Sequence, residues 1–279
     1  MEWGIVADSS CELKLKDIEN NYVDTTIVPL SFVVGDKNFV DTDDQDPKEM
    51  LEAMKACKDE AKSACPSPAA FEEAFRKSKK VICITVTSGL SGTYNSALVG
   101  KGMAEEEDPD IQIHVVDSHA TGGLLALLIY KCLELMKPGV PFEEVVEKID
   151  EYNRSLKLIF CLGSYENLIK TGRMNPFVGG IVERLNIKVY CTNNYEGQIV
   201  MGKKAKGTKA IYRLMVERMM EEKDITNLPV VISHCQNQEG AELLASMIQE
   251  QMHPCRIEII PCKCLCSFYT LEGGVIVGY

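Results

Sequence analysis

Val81-Ile82-Cys83-Ile84-Thr85-Val86-Thr87-Ser88-Gly89-Leu90-Ser91-Gly92-Thr93-Tyr94 is the stretch that decides the fold. Its first six residues are apolar or β-branched and lack polar alternation, the pattern of a strand buried on both faces in a parallel sheet. The rest brings the hydroxyls of Ser88, Ser91 and Thr93 into a tight loop that feeds a helix, with Gly89 and Gly92 allowing close approach of a guest. A helix N-terminus offers unpaired N–H groups and the positive end of a dipole, so an anionic head group suits it. In an open α/β sheet such loops stand along the edge where ligands bind.

The same grammar recurs on either side. Gly4-Ile5-Val6-Ala7 is a first strand ended by Asp8-Ser9-Ser10, and Ile111 to Val116 is another, ended by Asp117-Ser118. Asp46-Pro47-Lys48-Glu49 and Ser67-Pro68 are helix starts, with a cap residue followed by proline in the first turn. Helices are also expected over 92–106 and 142–152. Strands alternating with helices imply a parallel sheet flanked by helices. Near residue 155 the pattern changes. Lys188–Thr192 and Gln198–Gly202 flank the turn 193–197 as antiparallel strands, and Pro229–His234, Ile257–Pro261 and Gly274–Tyr279 close the chain as strands. The expected fold is α/β in two domains, 1–155 with the parallel sheet and serine loop and 156–279 with a mixed sheet.

Composition removes several classes of function. The 279 residues are 46% hydrophobic, enough for a sizeable core. A net charge of −11 argues against nucleic acid or an anionic membrane as the main partner. The start has no basic n-region followed by an apolar run, and the most apolar window, 122–130, falls short of the roughly 20 residues a span requires. A cytoplasmic protein without membrane insertion is the expectation. Twelve cysteines scattered through expected strands and helices do not frame a disulfide scaffold. Cys262-Lys263-Cys264-Leu265-Cys266 alternates as a strand with three thiols on one face would. That spacing does not suit a tetrahedral metal site, and no metal or other cofactor is expected.

Single motifs have plain readings as well as functional ones. Asp8-Ser9 and Asp117-Ser118 serve as helix caps as readily as ligand groups. Asp41-Thr42-Asp43-Asp44-Gln45-Asp46 lacks the central glycine and distal glutamate of a calcium loop, so it reads as a solvated acidic turn. Arg173, in Thr171-Gly172-Arg173, either pairs with a carboxylate or phosphate or satisfies carbonyls at a helix end. His119 and His234 can face the strand-end edge. The sequence contains no P-loop, dinucleotide fingerprint or triad-like order.

Together these segments resemble the DegV family of bacterial fatty acid-binding proteins. The resemblance rests on Asp8-Ser9, Val28-Pro29-Leu30, Pro66-Ser67-Pro68, Ser88 through Ala97, Val116-Asp117-Ser118 and Leu168 through Arg173, in the family's order. It implies a long-chain fatty acid buried between two domains. It also implies a carrier, not itself an enzyme, that presents the carboxylate to a separate fatty acid kinase subunit for acyl-phosphate formation in phospholipid synthesis. Ser63 and Ser91 would hold the carboxylate, with Ser88, Thr93 and Tyr269 nearby and Arg173 at the mouth or at a partner surface. Three segments depart from the family pattern. Ser63-Ala64-Cys65-Pro66 replaces Thr-Ser-Gln-Pro, Tyr269 and Glu272 stand where His and Pro are usual, and Lys206 stands near a usual Arg. The alternative is an enzyme or regulatory module that binds a small anionic metabolite at the same edge.

Overall fold

The computed structural model of the chain describes residues 1–57, 61–175 and 187–279. The expected buried run is strand β6. It lies in a four-stranded parallel sheet of order β2-β1-β6-β7, formed by β1 (Trp3–Asp8), β2 (Val23–Val28), β6 (Lys80–Thr85) and β7 (Gln112–Asp117). The absence of alternation has a direct cause. Ile82 and Ile84 pack into one core with helices α4 (Gly123–Leu135) and α5 (Phe142–Ser155), while Val81 and Cys83 pack into another with α2 (Pro68–Phe75) and α3 (Thr93–Glu107).

A six-stranded mixed sheet follows, of order β10-β9-β8-β13-β11-β12. Its strands are β8 (Leu158–Cys161), β9 (Ile187–Asn193), β10 (Ile199–Lys206), β11 (Pro229–His234), β12 (Arg256–Pro261) and β13 (Val275–Gly278). The two expected sheets are therefore present, parallel in the first and mixed in the second. One face of the second sheet is covered by α7 (Thr208–Glu222) and α8 (Gln238–Met252), and the other face joins the core that contains α4. Helix α4 serves both sheets, packing against β6 and also against β11 and β13. The approach is so close that a Cβ on Gly123 would lie 2.6 Å from the Val231 carbonyl oxygen.

A third, small antiparallel sheet, β4-β3-β5, is made of β3 (Ser31–Val34), β4 (Lys37–Val40) and β5 (Lys62–Ala64). It packs with α1 (Pro47–Ala56) and α9 (Cys264–Thr270), and Phe32 and Phe268 sit 5.3 Å apart at the centre of that contact. The helix starts behave as the sequence implied. Asp46 accepts from the Lys48 N–H and Ser67 from the Ala70 N–H.

One expectation needs correction. The alternating Cys262–Cys266 segment is not a strand: β12 ends at Pro261 and α9 begins at Cys264. Its helical start is fixed by distant carboxylates. Asp41 accepts from the Cys264 and Leu265 N–H groups at 2.8 and 3.0 Å, and Glu12 accepts from the Lys263 N–H. Carboxylates on unpaired N–H groups are what a helix start lacks on its own. Helix α8 carries little signal of its own in the sequence. Its buried stripe is thin, formed by Ala241, Leu244, Ile248 and Met252 among glutamates and glutamines.

Candidate functional site

The strand order sets the carboxyl ends of the parallel sheet in a row, and side chains of the loops themselves hold the row together. The Asp8 carboxylate accepts from the Ser10 N–H at 2.9 Å and from the Val86 N–H at 2.6 Å, joining β1 to the end of β6. Burial raises its carboxyl to about 6, against the pull of those donors. Ser9 Oγ accepts from the Leu30 N–H, and Asp117 Oδ1 accepts from the N–H groups of Ser88 and His119. These residues take the structural reading of their motifs: they position loops.

The serine loop is built the same way. Thr87 Oγ1 accepts from the Gly89 N–H and donates to the Gly197 carbonyl at the tip of the β9–β10 hairpin. A Cβ on Gly89 would stand 2.5 Å from the Glu196 carbonyl oxygen. The closeness that the sequence suggested for a guest is taken at Gly89 by the hairpin. Ser91 Oγ lies 2.9 Å from Thr93 Oγ1 and accepts from the Thr93 N–H, so it caps the start of α3 while one side remains open.

That open side faces a cavity of about 310 Å³. Its floor is the inner face of the six-stranded sheet. Alternate residues of β8, Leu158 and Phe160, turn towards it, while Ile159 and Cys161 turn to the opposite core. Ile276, opposite Phe160 in the ladder, continues the floor, as does Ile199 on β10. The parallel sheet supplies Leu30, Val86, Thr87, Leu90, Ser91 and Ala120 as a second wall. Helix α9 supplies a third with Leu265, Cys266, Tyr269 and Thr270.

Of the residues singled out from the sequence, Ser63, Ser91, Tyr269 and Arg173 line this cavity. Ser63 Oγ and the Tyr269 hydroxyl lie 2.8 Å apart, so the two hydroxyls meet directly. Arg173 takes the carbonyl reading of its motif. Its guanidinium donates to the carbonyls of Leu90 and Thr171 and still borders the cavity. Ser88 and Thr93 are placed differently. Ser88 is exposed and lines an adjoining groove of about 1120 Å³, shared with Ser91 and Arg173. Thr93 is fully buried behind Ser91.

Of the other lining residues, Asn193 and Thr121 carry no signal in the sequence, whereas His119 and Cys266 belong to segments already noted. Asn193 and His119 close one end, and Asn193 Nδ2 donates to the His119 carbonyl at 2.9 Å. Cys266 Sγ and Thr121 Oγ1 meet at 3.1 Å in the wall. His119 does face the strand-end edge. His234 does not line the cavity, and burial lowers its pKa. Among the described residues no cluster of three His, Cys, Asp or Glu side chains is placed to hold a metal ion, and no helix is long and apolar enough to cross a membrane.

The arrangement is that of an α/β binding protein. A parallel sheet and a mixed sheet enclose an apolar cavity with hydroxyls and a guanidinium gathered on one part of its wall. The chain belongs to the DegV family, whose model, described as "Uncharacterised protein, DegV family", matches residues 2–279. A DegV domain-containing protein of Streptococcus pneumoniae is 36% identical over 281 residues, covering 100% of this chain and 99% of the relative. Among solved structures, the Streptococcus pneumoniae Fatty Acid Kinase (Fak) B3 protein loaded with linoleic acid superposes with a TM-score of 0.94 at 36% identity, over 100% of this chain and 99% of that one. A DegV family protein from Eubacterium eligens loaded with heptadecanoic acid gives 0.92 at 29% identity, over 99% and 98%.

Proposed function

We propose that this protein carries a long-chain fatty acid in the cavity and presents its carboxylate to a separate kinase subunit for acyl-phosphate formation. In this reading Ser63, Ser91 and Tyr269 contact the carboxylate, Arg173 stands at the mouth, and Ser88 and Thr93 support the loop from outside and behind. Residues 1–155 and 156–279 act as the two domains that enclose the chain. The observation that carries the reading is an enclosed apolar floor with hydroxyls gathered at one part of its rim, in a fold shared with proteins crystallised around fatty acids. Each buried methylene contributes about 0.8 kcal/mol, so ten contribute about 8 kcal/mol before the costs of association. A few donors then suffice to fix the head. A carrier of this kind leaves the phosphoryl chemistry to its partner. The apolar floor favours it over a small anionic metabolite, which would gain little from Leu158, Phe160 and Ile276.

The test is mass spectrometry of solvent extracts from protein purified under native conditions, followed by reloading of the stripped protein. A long-chain acid should co-purify at about one per chain and reload after removal. Stripped protein that takes up no acid of any length refutes the reading.

A further inference from the structure

The row of strand ends gives the cavity a direction. Sheet order β2-β1-β6-β7 puts Leu30 at one end and the loop that carries His119 at the other. Ser63 and Tyr269 belong to the small sheet and α9, which pack with Leu30 at the β2 end. On the fatty acid reading, on which this inference rests, the carboxylate occupies that side and the alkyl tail runs towards the β7 end.

The β7 end is closed by His119, Leu158, Thr192 and Asn193. The same four residues line a second cavity of about 590 Å³, lying between β7, α5 and the β9–β10 hairpin. The partition is therefore one layer of residues thick. A side-chain hydrogen bond crosses it, from Asn193 Nδ2 to the His119 carbonyl at 2.9 Å. The loop side of this strap is fixed. His119 has a left-handed backbone (φ +52°), and its N–H donates to Asp117 Oδ1 at 3.1 Å. The hairpin side is fixed by Thr87 Oγ1 on the Gly197 carbonyl. Leu158 lies one step along the ladder from the Ile159–Thr192 pair and so shares the face of Asn193. The far cavity has a mixed wall, with His114, Asp117, Asp150 and Arg154 on one part and Val115, Leu124 and Leu156 on another, so a tail that passed the partition would still find apolar surface.

We propose that the Asn193–His119 strap, backed by Leu158, is the chain-length stop of the cavity. It seals the tail end against the second cavity and sets the longest acid that fits. Breaking it joins the two spaces and admits longer tails. Enlarging Leu158 brings the stop closer and favours shorter ones.

The experiment is competitive loading of delipidated full-length protein with an equimolar series of saturated acids from myristic to lignoceric, read by mass spectrometry of the extracted ligand. Wild type should take palmitic or stearic acid over behenic acid by about tenfold, the equivalent of roughly two methylenes left unburied. Asn193→Ala should reduce that preference to about twofold. Leu158→Phe, which adds volume to an existing space, should shift the maximum towards myristic acid. Melting temperatures separate a stop from a simple tie, because a tie lowers stability without changing the length profile. A wild-type profile in folded Asn193→Ala overturns the proposal, and so does an unshifted profile in Leu158→Phe. Equal uptake of every length by the wild type also overturns it. Uptake of no acid by any of the three proteins is a different failure, that of the fatty acid reading itself.

Discussion

Replacing Glu12 by glutamine should make this protein more stable at mildly alkaline pH and change its stability little in acid. Glu12 is 4% exposed, in a left-handed turn just after the cap that follows β1. One carboxylate oxygen accepts from the Lys263 N–H, and the other has no N–H or O–H partner, with the Cys266 thiol as its polar neighbour. Burial raises its pKa from 4.5 to about 8, with Asp41 adding to the rise and Lys263 opposing it. Between these values the unfolded chain has lost a proton that the folded chain keeps. Folding therefore becomes less favourable as pH rises through that window, by up to about 1.4 kcal/mol per pH unit. Across the whole window the loss sums to a few kcal/mol, a large fraction of a typical domain's stability. Asp8 adds a loss of the same sign between 3.8 and about 6. Glutamine keeps an oxygen for the Lys263 N–H and cannot ionise, so Glu12→Gln removes the upper part of the slope. The assay is urea unfolding of delipidated wild type and variant at a series of pH values from 4.5 to 8, since bound ligand would add its own stabilisation. Wild-type stability should fall across the series, and the variant's curve should be flatter and cross above it. Parallel curves, or a wild-type stability that rises towards pH 8, would refute the argument.

Two further substitutions probe the serine loop. Ser91→Ala should weaken fatty acid binding about tenfold by titration calorimetry and cost about 1 kcal/mol of stability, because Ser91 Oγ also caps Thr93; unchanged affinity with a lowered melting temperature would leave Ser91 as a cap alone. Gly89→Ala should destabilise the protein by about 1–3 kcal/mol in denaturant titration, since the new methyl would sit 2.5 Å from the Glu196 carbonyl oxygen and force the hairpin tip away; a neutral effect would mean the hairpin moves freely against the loop.

What the sequence made legible is what short-range chemistry decides. The run Val81–Val86 announced a doubly buried strand because both of its faces do meet apolar helices. Asp46-Pro47 and Ser67-Pro68 announced helix starts because a cap acts within three residues of itself. Asp8 and Asp117 announced strand ends, and each binds an N–H two residues on. Ser91 and Arg173 stand out in their own motifs as a hydroxyl at a helix start and a cation, Ser63 gains a ligand role only through the family resemblance, and no local pattern shows that the three share one cavity.

What stayed hidden is what distant residues decide. Alternating cysteines at 262, 264 and 266 satisfy a strand's period as well as any strand does. The segment is helical because Glu12 and Asp41, more than two hundred residues earlier in the chain, take the N–H groups of Lys263, Cys264 and Leu265. This is tertiary override of a local signal, and it has a consequence for the site. The helix so fixed carries Leu265, Cys266 and Tyr269 into the cavity, so the acidic residues of the first half position the wall opposite the serine loop. The closed end has the same origin. Nothing in their own segments links Asn193 to His119, and they become a pair only when the hairpin register and the left-handed loop after β7 bring an amide to a carbonyl. A site assembled from two sheets and a helix is thus half readable. The groups that shape their own loops announce themselves, and the groups that meet across the cavity do so only in the folded protein.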